Sequence, residues 1–187
     1  VISRAEPFCA ADLEAITDPC VHVNPLTVGE FPATLLPSLR ARVDFLGADA
    51  QGFLRQVEPD GSTVYRSSPD LPRWLPLLDL LKVDLREGEL LTGLSDPVAA
   101  AQRLSDLGPR VVLLTHEHGL VACSQGETAQ ASFGPYRLEG RTGRGDTCTA
   151  AFLVARVGEG AGLQAAAERA TAVTTRKMQY PGPYAGD

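Results

Sequence analysis

Arg141-Thr142-Gly143-Arg144-Gly145-Asp146-Thr147-Cys148-Thr149-Ala150-Ala151-Phe152 sets two glycines around one arginine, follows them with an acid, and at once begins a helix pattern of small residues. Gly143 and Gly145 let the backbone turn tightly and approach a ligand. A helix that starts here aims its free N–H groups and the positive end of its dipole at the turn. That arrangement is an anion site suited to phosphate. Asp146 is the odd member, because a carboxylate repels phosphate. It makes sense as a base that takes a proton from a hydroxyl attacking the phosphate. Asp is equally favoured as a helix N-cap, and spacing alone leaves the two readings even.

Outward from this segment the chain alternates strand and helix patterns. Helices are expected at Gly145 to Val157 and Leu163 to Lys177. Upstream, Arg110 to Thr115 is the strongest strand, and Gly119 to Cys123 pairs with it through a short turn. Thr128 to Ser132 and Tyr136 to Leu138 are weaker strands. Pro97 to Leu107 is a helix capped by Ser95 or Asp96, with Pro97 in its first turn and Gly108 at its end. Leu80 to Val83 is a strand, and Arg86 to Leu91 a short helix stopped by Gly93. Pro72 and Pro76 allow only a short helix between Leu71 and Leu78. Val64 to Arg66 reads as a small edge strand. Cys20 to Asn24 and Val43 to Ala48 are strands, Glu30 to Arg42 has helical periodicity, and Asp49 to Arg55 is a loop at a strand end. Such an order argues for a parallel sheet covered on both faces, with ligand residues gathered where strands end.

The 187 residues suit one domain, 1–187, with a real core. A net charge of −6 without a basic tract argues against nucleic acid. No apolar run is long enough to span a membrane, and no signal peptide pattern is present, which points to a cytoplasmic protein. Cys9, Cys20, Cys123 and Cys148 form no C-x-x-C pair and read as small buried thiols.

The Thr142-Gly143-Arg144-Gly145-Asp146 core resembles the C-terminal signature of the PfkB/ribokinase family of carbohydrate and nucleoside kinases, usually D-T-x-G-A-G-D. Two positions depart from it: Gly140 or Arg141 stands for the first Asp, and Arg144 for the Ala. The resemblance implies a three-layer α/β/α, Rossmann-like ribokinase-type fold with a mostly parallel central sheet. It implies that Gly143, Arg144 and Gly145 form the anion hole for the transferred phosphoryl group and that Asp146 is the catalytic base. ATP and Mg²⁺ are the implied cofactors, and a sugar, polyol or nucleoside-like molecule the acceptor.

Three further segments match the family. Lys82 to Gly93 resembles its N-x-x-E phrase, with Asp84 in place of Asn and Glu87 at the Glu; the resemblance implies that Glu87 helps to organise Mg²⁺ through water. A solvated acid in a helix's first turn is the plain alternative. Thr115-His116-Glu117-His118-Gly119 is similar to the T-x-G-x-x-G loop under the nucleotide phosphates, matching at Thr115 and Gly119 and departing at Glu117. The two histidines lack a third metal ligand and suit a turn. Asp49-Ala50-Gln51-Gly52-Phe53-Leu54-Arg55 looks like an inositol-kinase-like branch. Gln51 would bond a hydroxyl and Arg55 neutralise phosphate, with a loop amide and an exposed cation as the alternative. The tail from Ala165 through Pro183 resembles the helix and loop closing the adenine pocket.

The resemblance runs from about Val21 to Pro183, the C-terminal two-thirds of a family member. The N-terminal strands and the β lid are expected to be missing. A sheet without them exposes an edge and apolar surface, which calls for a homo-oligomer, a partner or a longer protein, the last being preferred. A non-catalytic nucleotide-binding module is the competing reading. A dinucleotide enzyme is disfavoured, because Cys148 occupies the third glycine position of its fingerprint.

Overall fold

The computed structural model describes residues 3, 5–140, 142–182 and 184. In chain order it contains β1 (Cys20–Val23), α1 (Leu36–Arg40), β2 (Phe45–Asp49), α2 (Gln51–Leu54), β3 (Arg55–Val57), β4 (Thr63–Tyr65), α3 (Leu71–Trp74), β5 (Leu80–Asp84), α4 (Leu85–Thr92), α5 (Pro97–Ser105), β6 (Val111–Thr115), β7 (Gly119–Ser124), β8 (Glu127–Ser132), α6 (Arg144–Leu153) and α7 (Leu163–Met178). Six strands form one sheet in the order β1-β2-β5-β6-β7-β8. The first four are parallel; β7 runs antiparallel to β6, and β8 antiparallel to β7.

Strand alternation divides the core in two. Leu81, Val83, Val112 and Leu114 face one layer, which holds α1, α3 and α5. Leu80, Val111, Leu113 and Leu120 face the other, packed by α6 and α7. Near-continuous apolar strands are what a sheet covered on both faces requires, and the three-layer ribokinase-type α/β fold expected from the sequence is present. The alanines of α7, buried at 166, 167 and 170, let it lie close on the sheet. Among the described residues no helix is long and apolar enough to cross a membrane.

Several local expectations need correction. Glu30 to Arg42 is not one helix: Pro32 and Pro37 leave a 3-10 turn at Ala33–Leu35 and the short α1. Asp49 to Arg55 is not loop; α2 turns directly into β3, which pairs with β4 in a separate two-stranded sheet. Tyr136 to Leu138 is irregular rather than a strand, following Pro135, which cannot donate to a ladder. The helix expected at Gly145 to Val157 begins at Arg144, ends its α-geometry at Leu153 and passes into a π turn at Val154–Gly158. Cys9 and Cys20 are exposed, so only Cys123 and Cys148 are buried thiols. Arg141 and Pro183 lie outside the described residues.

Gly119 begins β7 and is buried. A Cβ there would fall 2.1 Å from the Ala131 carbonyl oxygen on β8. The glycine therefore serves the close approach of two strands.

Candidate functional site

The strand ends of β2, β5 and β6 and the N-terminus of α6 enclose a cleft of about 450 Å³. Asp49, Gln51, Arg55, Asp84, Glu87, Thr115, Gly143, Arg144, Gly145 and Asp146 all line it. The structure thus brings together every site residue expected from the sequence except Gly119. A second recess of about 430 Å³ adjoins it, sharing Asp84, Thr115 and Arg144 and adding His116, Glu117 and Tyr136.

The two open readings of Asp146 separate here. The N-cap of α6 is Gly143, left-handed at φ 75°, and no side chain caps the helix. Asp146 lies within the first turn and is exposed. Asn24, one residue past β1, donates from Nδ2 to Asp146 Oδ1 at 2.6 Å. The first turn of α6 lines the cleft, and no side chain caps it. Arg144 sits at the mouth, its guanidinium 6.0 Å from the Phe133 ring centre.

The floor is a charge cluster. Lys82 points from β5 toward α6, 4 % exposed, with its ammonium 3.7 Å from Asp49 Oδ2. A Cβ at Gly145 would be 3.8 Å from Lys82 Nζ, so the helix start lies directly over this ammonium. Burial pushes Lys82 down, but Asp49, Glu87 and Asp84 outweigh it and keep the group charged. Sequence reading passed over Lys82 as an ordinary strand residue. A lysine between Leu81 and Val83 in a strand apolar on both faces was the available signal.

Glu87 stands in the first turn of α4 but is buried, so the alternative of a solvated acid there is overturned. Asp84 caps α4, accepting from the Glu87 amide at 2.8 Å, while Glu87 Oε2 accepts from the Asp84 amide at 2.8 Å. This reciprocal box occupies one oxygen of each carboxylate. Burial, then the charges of Asp84 and Asp49, raise Glu87 to about 7 against the pull of Lys82. Among the described residues no group of three or more His, Cys, Asp or Glu is placed to cage a metal. A pair of carboxylates beside a phosphate-sized cleft still fits Mg²⁺, which keeps its waters and takes one or two carboxylates plus substrate phosphates.

His22 lies in β1, two residues before Asn24. Its ring rests on Gly47, where a Cβ would meet Nδ1 at 2.4 Å. Among the described residues Nδ1 has no hydrogen-bond partner. Burial pushes His22 down to about 4, Lys82 adds to this, and Asp49 and Asp146 oppose it. A histidine held neutral destabilises the fold once it must take a proton. The unfolded chain protonates it near its ordinary 6.5, so stability is expected to fall as pH drops from 6.5 towards 4. The loss is about 3 kcal/mol at most, at about 1.4 kcal/mol per unit. Urea unfolding at pH 7 and pH 4.5 measures it. A His22→Leu protein should show a flatter dependence in this window, and an unchanged slope would release His22 from the role.

A profile described as the pfkB family carbohydrate kinase matches residues 45–186. Comparison with curated proteins gave no match. Among solved structures, the chain is similar to a pyrophosphate-dependent kinase in the ribokinase family in complex with sulfate: 47 % identity over 97 % of this chain and 64 % of that chain, TM-score 0.93. It is equally similar to a pyrophosphate-dependent kinase of that family complexed with a pyrophosphate analog and myo-inositol: 47 % identity, 97 % of this chain, 66 % of that chain, TM-score 0.93. An Arabidopsis thaliana ribokinase complexed with ribose and ATP is more distant, at 25 % identity over 95 % of this chain and 55 % of that chain, TM-score 0.71. This chain spans 64 % and 66 % of the length of the first two relatives.

Proposed function

This chain belongs to the pfkB family of carbohydrate kinases, and from that premise we propose that it is the catalytic part of a phosphotransferase, acting as one unit over 1–187, that moves a terminal phosphoryl group onto a hydroxyl of a small polyol. The single observation that carries the reading is the cleft lined both by the exposed Asp146 and by the first turn of α6, which no side chain caps. A base and an anion site on one turn is what transfer to a hydroxyl needs.

In this reading Asp146 takes the proton of the acceptor hydroxyl, whose oxygen bonds to the terminal phosphorus as the bridging P–O bond breaks. The amides of Gly143, Arg144, Gly145 and Asp146, with the Lys82 ammonium below, offset charge spreading over the phosphoryl oxygens. Arg144 adds a cation where the family signature carries Ala. Glu87, with Asp84 beside it, would hold hydrated Mg²⁺, which when bound would neutralise donor phosphate charge. Thr115 borders the donor end. Asn24 orients Asp146, and Gln51 and Arg55 face the acceptor side.

Inorganic pyrophosphate is the donor best supported and myo-inositol the acceptor. The 47 % identical relatives are pyrophosphate-dependent, and one is complexed with myo-inositol. Arg144 and Lys82 suit a compact polyanion that brings no base to bury. ATP, implied by the broader family, is the competing donor and the ligand of the more distant ribokinase. The test incubates the protein with myo-inositol, Mg²⁺ and either donor, following inositol phosphate by phosphorus NMR. Inositol phosphate and one orthophosphate per turnover are expected with pyrophosphate. Product with ATP alone would reverse the donor assignment. Binding of either donor without transfer would favour a non-catalytic binding module.

A further inference from the structure

The loop that leads into α6 rests on two buried lysines, and they differ in one respect. Lys82 has a carboxylate partner in Asp49 at 3.7 Å. Lys177, in the last turn of α7, is 1 % exposed, and among the described residues no carboxylate pairs with it. Among the described residues its Nζ reaches two carbonyl oxygens, those of Gly140 and Tyr180, each at 3.4 Å. Both contacts are long for a charged donor. A buried ammonium that is neither ion-paired nor tightly bonded is costly, so its position asks for an anion close by.

The geometry supplies the place. A Cβ on Gly143 would lie 3.9 Å from Lys177 Cε and 3.8 Å from Asp146 Oδ2. The lysine stem therefore runs directly behind the residue that opens the anion site. Gly140 is pinned to the same corner, where a Cβ would meet the Tyr180 oxygen at 2.8 Å and Lys177 Nζ at 3.5 Å. The Glu139 amide donates to the Met178 carbonyl at 2.9 Å, and the Tyr180 amide to the Lys177 carbonyl at 3.1 Å. Glu139, Gly140 and Gly143 thus meet the end of α7 around one positive charge.

We propose that Lys177 is a positioning residue for the phosphate site: its buried ammonium ties Gly140 to the end of α7 through the Gly140 and Tyr180 carbonyls, behind Gly143, and leaves a positive charge that the incoming phosphate compensates. The proposal rests on the phosphotransferase reading above. Lys177 touches neither donor nor acceptor. It fixes the path of the loop before the donor arrives, so that the amides of α6 need no rearrangement to receive it.

The test titrates inorganic pyrophosphate calorimetrically into the wild-type chain and into Lys177→Met, with thermal unfolding of both. Affinity is expected to fall about tenfold or more in the folded variant, the order expected for one removed buried charge. Turnover should fall with it, and KM for the polyol should hold. Ammonium chloride, but not sodium chloride, should restore part of the affinity. A lysine that only packs would lower Tm in the variant and leave pyrophosphate affinity unchanged, and that result overturns the proposal. Where Lys177→Met does not fold, the ¹⁵N resonance of Lys177 Nζ in the wild type decides. Movement on saturation with pyrophosphate supports the assignment, and an unmoved resonance overturns it. A folded wild-type chain that binds neither pyrophosphate, sulfate nor ATP removes the phosphotransferase reading together with this one. Normal wild-type binding with an indifferent variant removes this one alone.

Discussion

Asp146→Asn is expected to lower turnover by about 10²–10⁴-fold, the range for a lost general base. Asparagine is nearly the same shape and keeps an oxygen to accept from Asn24, whose present bond to Asp146 Oδ1 is 2.6 Å. Geometry should therefore persist while the proton acceptor is lost. Donor binding should persist or tighten, because one negative charge leaves the phosphate site. Steady-state rates with pyrophosphate and myo-inositol, beside calorimetric donor binding, separate the two effects. A variant with turnover within tenfold of wild type would take the base role from Asp146. A variant that loses donor binding would make Asp146 part of the loop's architecture instead.

Asp79→Ala should reduce stability by about 3 kcal/mol, a buried ion pair and a buried amide being broken together. Its side chain is 6 % exposed and pairs with Arg40 and with Arg110 at 2.9 Å. It also accepts from the Leu46 amide at 2.8 Å. On the backbone, Asp79 donates to Leu46 at 2.7 Å and accepts from Val111 at 2.9 Å. One residue thus ties the starts of β2, β5 and β6. Alanine leaves the Leu46 amide without its acceptor and Arg40 without its carboxylate. Urea unfolding should reveal the loss, and a change below about 1 kcal/mol would mean that water replaces the network. Burial pushes Asp79 up, but the Leu46 amide and the two guanidiniums hold its carboxyl below the ordinary 3.8. Its contribution is full above pH 3.8 and fades as pH falls further, a window more acidic than that of His22.

Legibility from sequence followed the physics of each segment. The Gly143–Asp146 turn could be read because glycine spacing and the onset of a small-residue helix are local signals. Strands β5, β6 and β7 could be read because sheets covered on both faces make long apolar runs. α5 declared its start through Asp96, which accepts from the Ala99 amide at 2.8 Å. What stayed hidden depends on contacts far along the chain. Asn24 looked like the end of a strand, and its partner is 122 positions away. Lys82 was concealed inside a strand pattern, and Lys177 looked like the usual basic residue of a helix's last turn. β3 was invisible because three residues paired only with the equally short β4 carry almost no periodicity.

The bond from Asn24 to Asp146 ties the proposed base to the sheet's margin. Among the described residues, β1 is held in the main sheet by β2 alone. Outer strands are drawn from the low end of a protein's range of local opening energies. Each time β1 frays, the proposed base loses the amide that aims it, while β5, β6 and the two buried lysines stay as they were. On warming, activity should therefore fade reversibly before the sheet melts. Amides of Val21 and Val23 should exchange with solvent in step with that fading, ahead of those in β6.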